Sequence, residues 1–109
     1  MAWTKYRNKK VTTEDGCFDS KKELKRWNEL KLLEMAGEIS QLTRDKSACT
    51  FDLTVNGQRV CKYVADAVYY EGGKMIVEDT KSPVTRANPV YRIKKKLLKA
   101  LRNVEIREV

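Results

Sequence analysis

The sequence predicts an α+β domain, and three observations carry that expectation. Two stretches bear helical periodicity with start and stop signals, two hairpin signals lie between them, and the order reads helix, strands, helix, strand. At 109 residues the chain is the size of one domain.

The elements follow in order. Residues 1–10 are polar, basic and aperiodic and read as a flexible arm ahead of a single domain over 11–109. Residues 11–18 suit a short hairpin about Asp15-Gly16. Ser20 with Glu23 three residues on has the capping-box spacing, and Gly37 is a good stop, so residues 20–36 are expected to be helical. Leu24, Trp27, Leu30 and Leu33 mark the buried stripe of that helix.

The middle of the chain reads as β-structure. Residues 51–55 and 58–70 flank Asn56-Gly57, and 63–70 and 74–81 flank Gly72-Gly73. Asn88-Pro89 supplies an N-cap and first-turn proline for a second helix running to residue 102. Val90, Ile93, Leu97 and Leu101 form its apolar stripe, and its other faces are basic. Residues 104–109 read as a last strand.

Composition removes several chemistries. There is no histidine, which excludes Ser-His and Cys-His nucleophiles and histidine-metal nucleases. Cys17, Cys49 and Cys61 are far apart and form no CxxC pair, so they read as buried thiols in a reducing cytoplasm. No apolar run approaches the ~20 residues that cross a bilayer, and no signal-peptide core opens the chain, so a protein without membrane contact is expected. The net charge is +8, and residues 80–104 hold bases with no acid, which suits a polyanion partner. Arg86, Arg92, Lys95, Lys96 and Lys99, with Lys9 and Lys10 of the arm, are the expected phosphate contacts. Trp3 and Tyr6 interleave with bases in the arm, and Tyr91 either stacks on a base or packs.

The diglycine turn fixes a register. It sets Asp66 opposite Asp79, Val68 opposite Val77, Tyr70 opposite Met75 and Val64 opposite Lys81, all on one sheet face. Directly opposed carboxylates have Cβ atoms ~5 Å apart and repel. A divalent cation relieves that repulsion, and Lys81 on the same side could neutralise a phosphate oxygen or orient a water. A one-residue slip would put Glu78 in place of Asp79. Glu23 leans toward the core and could join the acids, or it could serve only the helix cap.

Glu23 on a first helix, Asp66, and Asp79-Thr80-Lys81 across a hairpin together resemble the PD-(D/E)xK nuclease superfamily, with Ala65 where the motif's proline is expected. The segments Phe18-Asp19-Ser20-Lys21-Lys22-Glu23, Gly37-Glu38-Ile39-Ser40 and Val77-Glu78-Asp79-Thr80-Lys81 are similar to those of short phage-encoded endonucleases in it. That resemblance implies a restriction-endonuclease-like αβββαβ core, a mostly antiparallel sheet flanked by helices. It implies an Mg²⁺- or Mn²⁺-dependent endodeoxyribonuclease with no small-molecule cofactor, in which Asp66, Asp79 and Glu23 hold metal and Lys81 activates or places the water. It also implies a homodimer acting on branched DNA such as Holliday junctions, in the cytoplasm of a phage-infected bacterium.

Overall fold

The computed structural model describes residues 10–109. The expected contact at Lys9, and those of Trp3 and Tyr6, lie outside the described residues; Lys10 is exposed.

The chain opens with a hairpin of β1 (Val11–Thr13) and β2 (Gly16–Phe18), whose turn is Glu14-Asp15, one residue earlier than the Asp15-Gly16 signal suggests. Helix α1 (Lys21–Met35) follows, and Ser20 caps it by accepting from the Glu23 N–H at 3.1 Å. Then come β3 (Ser40–Thr43), a single turn α2 (Lys46–Cys49), β4 (Thr50–Val55) and β5 (Gln58–Val64). The chain continues through β6 (Ala67–Glu71), β7 (Lys74–Asp79), a short α3 (Pro83–Arg86), α4 (Pro89–Arg102) and β8 (Ile106–Glu108). Both hairpin signals hold. Asn56 and Gly57 have φ of 52° and 79°, and Gly72 and Gly73 have 59° and 79°, the left-handed pairs that a two-residue turn requires.

A four-stranded sheet in the order β3-β6-β7-β8 forms the centre, with β8 parallel to β7 and the other pairs antiparallel. A separate two-stranded sheet pairs β4 with β5. Side chains alternate along β6 and β7, and both resulting faces are covered. Ala67 and Tyr69 pack with Leu30 and Ile39 on the α1 side. Val68 and Val77 pack with Leu53, Tyr63, Tyr91 and Leu98 on the side of α4 and the β4–β5 hairpin. The α+β class is therefore as the sequence predicts. Among the described residues, no helix is long and apolar enough to cross a membrane.

Three expectations need correction. Residues 58–70 are two strands, because the chain leaves β5 to join another sheet; the Ala65 N–H bonds to Cys49 O, and the next one, Asp66 N–H, to Glu78 O. The β6–β7 ladder consequently stops at Ala67↔Glu78, and Val64 pairs with Thr50 instead of facing Lys81. The last strand is shorter than expected and begins at Ile106. Finally, α4 is rotated from its apolar stripe. Tyr91 and Leu98 are the residues it buries, while Val90 is 60 % and Ile93 58 % exposed. The β4–β5 hairpin and the sheet together present aromatic and branched surface that Tyr91 and Leu98 fill, and one helix cannot bury two stripes in a single contact.

That orientation has a measurable consequence. Leu98→Ala removes a fully buried side chain and is expected to cost about 2–5 kcal/mol in urea unfolding. Ile93→Ala should fall within about 0.5 kcal/mol of the parent. Equal losses at the two positions would show that the stripe faces inward after all.

Candidate active site

The end of β7 carries two adjacent buried acids that point to opposite faces. Glu78, 1 % exposed, turns to the α1 side. Arg26 donates to it from Nε and Nη2, each at 2.8 Å, and the Tyr69 hydroxyl donates at 2.6 Å. Arg107 in turn donates to the Tyr69 oxygen at 3.1 Å. Glu78 is thus the anchor of a structural ion pair, its oxygens committed to charge-assisted bonds.

Asp79, equally buried, turns to the opposite face with Val77. Its Oδ2 accepts from the Tyr63 hydroxyl and lies 3.2 Å from Lys81 Nζ. Lys81 leaves β7 two residues later, and its ammonium sits 4.7 Å from the centre of the Tyr91 ring. Burial pushes the Asp79 carboxyl up to about 6, against the pull of Lys81. Of the two acids between which the sequence leaves a choice, Asp79 stands beside the amine and Glu78 lines the crevice that holds Asp66 and Glu23.

Asp66 occupies the bend between β5 and β6, so it extends the β6–β7 register without belonging to the ladder. Its Oδ2 accepts from the Thr80 N–H at 2.8 Å, which ties it to the Asp79-Thr80-Lys81 segment. Burial raises its carboxyl above the usual range, with the Thr80 bond and then Lys81 opposing. Asp66 shares a small crevice with Glu23, Arg26, Arg44 and Thr80. Glu23 serves the helix cap through its backbone N–H, and its carboxylate lies 3.7 Å from Arg44. Burial pushes that carboxyl up to about 7, and the charges of Asp66 and Asp19 add to the shift.

The four residues thus form two groups at one end of the central sheet: Asp66 and Glu23 share the α1-side crevice with Glu78, Asp79 and Lys81 meet on the other face, and the Thr80 N–H bond to Asp66 links the two. Three neighbours were not singled out by sequence. Tyr63 holds Asp79, but its inward direction depends on where β5 ends. Arg44 stacks on Phe18, 3.8 Å from the ring centre, and donates to the carbonyls of Asp15 and Cys17, so it holds the first hairpin beside Glu23. Asp19 adds negative charge, and its place just before the Ser20 cap is the signal that could have found it. Tyr91 packs, and its hydroxyl donates to Glu108 at 2.6 Å.

The expected phosphate contacts also converge. Arg86, Arg92, Lys95, Lys96 and Lys99 line a groove of about 610 Å³ beside Tyr91, along α4 and β8. Two acids share it: Glu108 lies 3.3 Å from Lys95 and 3.9 Å from Arg86, and Glu105 lies 2.9 Å from Lys99. The groove keeps an excess of positive charge, with Tyr91 between it and Lys81.

The fit to a divalent cation rests on donor chemistry. Among the described residues, no three carboxylates or thiols stand together at ligating separation. Yet the three carboxyls of Glu23, Asp66 and Asp79 are hard oxygen donors whose raised values record charge that burial disfavours. Carboxylate oxygen is the donor type Mg²⁺ and Mn²⁺ use, so these groups fit the cation in chemistry and not in their present separation.

The same shifts set a pH dependence. Between the ordinary glutamate range and about 7, the folded chain binds more protons at Glu23 than the unfolded chain does. Stability in chelator should therefore fall as pH rises through that window, and Asp79 adds to the fall up to about 6. Thermal melts of the parent should show this decline, and Glu23→Gln should flatten it and melt higher at the alkaline end. Parallel curves for the two proteins would contradict the burial of Glu23.

No curated protein and no solved structure matches the chain. Residues 3–108, nearly all of it, match a family described as "Protein of unknown function (DUF1064)". On that coverage the chain belongs to the DUF1064 family.

Proposed function

We propose that this protein is a divalent-metal-dependent endodeoxyribonuclease that hydrolyses DNA phosphodiester bonds. The observation that carries the reading is the Asp79–Lys81 pair, 3.2 Å apart at the end of β7, to which Asp66 is tied through the Thr80 N–H while Glu23 shares the Asp66 crevice. Its resemblance to the PD-(D/E)xK superfamily supports the same assignment.

Asp66, Asp79 and Glu23 would hold Mg²⁺ or Mn²⁺. When bound, the cation supplies Lewis-acid polarisation of the scissile phosphoryl group. The chain's own residues do the rest. Thr80 N–H fixes Asp66, and Tyr63 and Lys81 fix Asp79, so the acids are oriented before substrate arrives. The Lys81 side chain is mostly buried, and its Nζ places a water or neutralises a phosphate oxygen beside Asp79. The α4–β8 groove receives the flanking phosphates through Arg86, Arg92, Lys95, Lys96 and Lys99, which position the strand without reading its sequence. Branched DNA is the proposed substrate, cut by a homodimer that offers two sites to two related strands.

The test is cleavage of linear duplex, single-stranded and four-way-junction DNA in Mg²⁺, in Mn²⁺ and in chelator. Metal-dependent cutting, fastest on the junction, is expected. Cutting without junction preference would leave a general nuclease. Salt-sensitive binding with no cutting of any substrate would leave a nucleic-acid-binding module and overturn the enzymatic reading.

A further inference from the structure

Helix α4 presents three faces, and the fold and the groove use two of them. Tyr91 and Leu98 turn into the core, while Arg92, Lys95, Lys96, Lys99 and Ala100 line the groove. The third face is apolar and outward. Val90, Ile93, Leu97 and Leu101 recur at the three- and four-residue spacing of one helix face. Val90 and Ile93 are more than half exposed, and Leu101 is 40 % exposed. Only Leu97 is half-buried. A contiguous apolar strip on an otherwise highly charged helix marks an interaction surface.

Charge selects the occupant. Helix α4 carries Arg92, Lys94, Lys95, Lys96, Lys99 and Arg102 and no acid, and Lys94 and Lys96 directly flank the strip. At its N-terminal end the strip meets a depression of about 360 Å³ that holds Val64 and Val90 with Lys62, Lys81 and Lys94, again without an acid. A second copy laid on this face would set one all-basic helix against another, with Lys96 near Lys96. Flanking charges of that kind decide partner choice in helix pairs, and like signs exclude self-pairing. Nucleic acid would meet the lysines but leave the apolar side chains against a hydrated backbone. A helix with its own apolar stripe and flanking carboxylates satisfies both features.

We propose that the outward face of α4, centred on Ile93, is a docking surface for an acidic amphipathic helix of another protein. Lys81 of the proposed site borders one end of this surface, but the inference is tested apart from the nuclease reading, because peptide binding involves neither DNA nor metal.

The test titrates the full chain by calorimetry with three synthetic helical peptides. One has a Leu/Ile seam flanked by Glu, one has the same seam flanked by Lys, and one is a scrambled form of the Glu peptide. Saturable binding of the Glu peptide alone is expected, weakened about tenfold by Ile93→Asp, as when a central anchor is lost. Ile93 is exposed, so the variant should keep the parent's melting temperature, which is measured alongside. Absence of binding by the Glu peptide overturns the proposal. Equal binding of the scrambled peptide overturns it in favour of a general polyanion surface. Concentration-dependent self-association that Ile93→Asp abolishes overturns it in favour of a second copy.

Discussion

Asp79→Asn is expected to lower metal-dependent DNA cleavage by about 10³-fold or more, the loss of several kcal/mol of transition-state stabilisation. The substitution keeps the shape of the side chain and an acceptor for the Tyr63 hydroxyl while removing the charge beside Lys81. Burial already disfavours that charge, so the folded state should lose little by its removal. Lys81→Ala is expected to cost about 10²–10³-fold, the scale seen when a single preorganised cationic or hydrogen-bonding group is removed from a reacting site. Both variants should remain folded by circular dichroism. If both cut as fast as the parent, the Asp79–Lys81 pair is not the reacting centre.

The neighbouring acid should behave in the opposite way. Arg26→Ala is expected to destabilise the fold by about 3–5 kcal/mol, because it strands a buried carboxylate that Tyr69 alone cannot compensate. For a domain of this size that is a fall in Tm of roughly 12 °C or more. Adding Glu78→Gln to Arg26→Ala should recover much of the loss, since the neutral amide still meets the Tyr69 hydroxyl and no longer carries an isolated charge. A single-variant loss of under about 1 kcal/mol would match an exposed pair and contradict the burial of Glu78. On the proposed function, the two experiments are expected to divide Glu78 from Asp79, with Glu78 affecting stability and Asp79 affecting cleavage.

That division was only half legible in the sequence. Two glycines fix the β6–β7 turn, and alternation then separates Glu78 from Asp79, so the register follows from local chemistry. Which of the two faces carries the site depends on what covers each face, and that is a tertiary fact. Glu23 illustrates the same limit. The spacing from Ser20 identifies the cap, yet only the fold shows that the cap uses the backbone N–H and turns the carboxylate toward Asp66. Asp66 was found by a strand argument although it lies in a bend, because the bend continues the register by one residue. Helix α4 is the clearest failure. Its periodic stripe was legible, and its assignment to the core was not, since a strip that faces outward has the same spacing as one that faces inward. Tyr63 and Arg44 were invisible for a related reason: each reaches the site from an element paired or packed only through long-range contacts.

The most direct measurement of the central claim is calorimetric titration of the parent protein with Mn²⁺, in the absence of DNA, beside Asp66→Asn and Asp79→Asn. Saturable binding by the parent that either substitution abolishes or weakens at least about tenfold is expected, since each acid is one of few charged ligands. Absence of Mn²⁺ binding by the parent, or binding that both variants retain unchanged, would contradict a metal centre at these carboxylates.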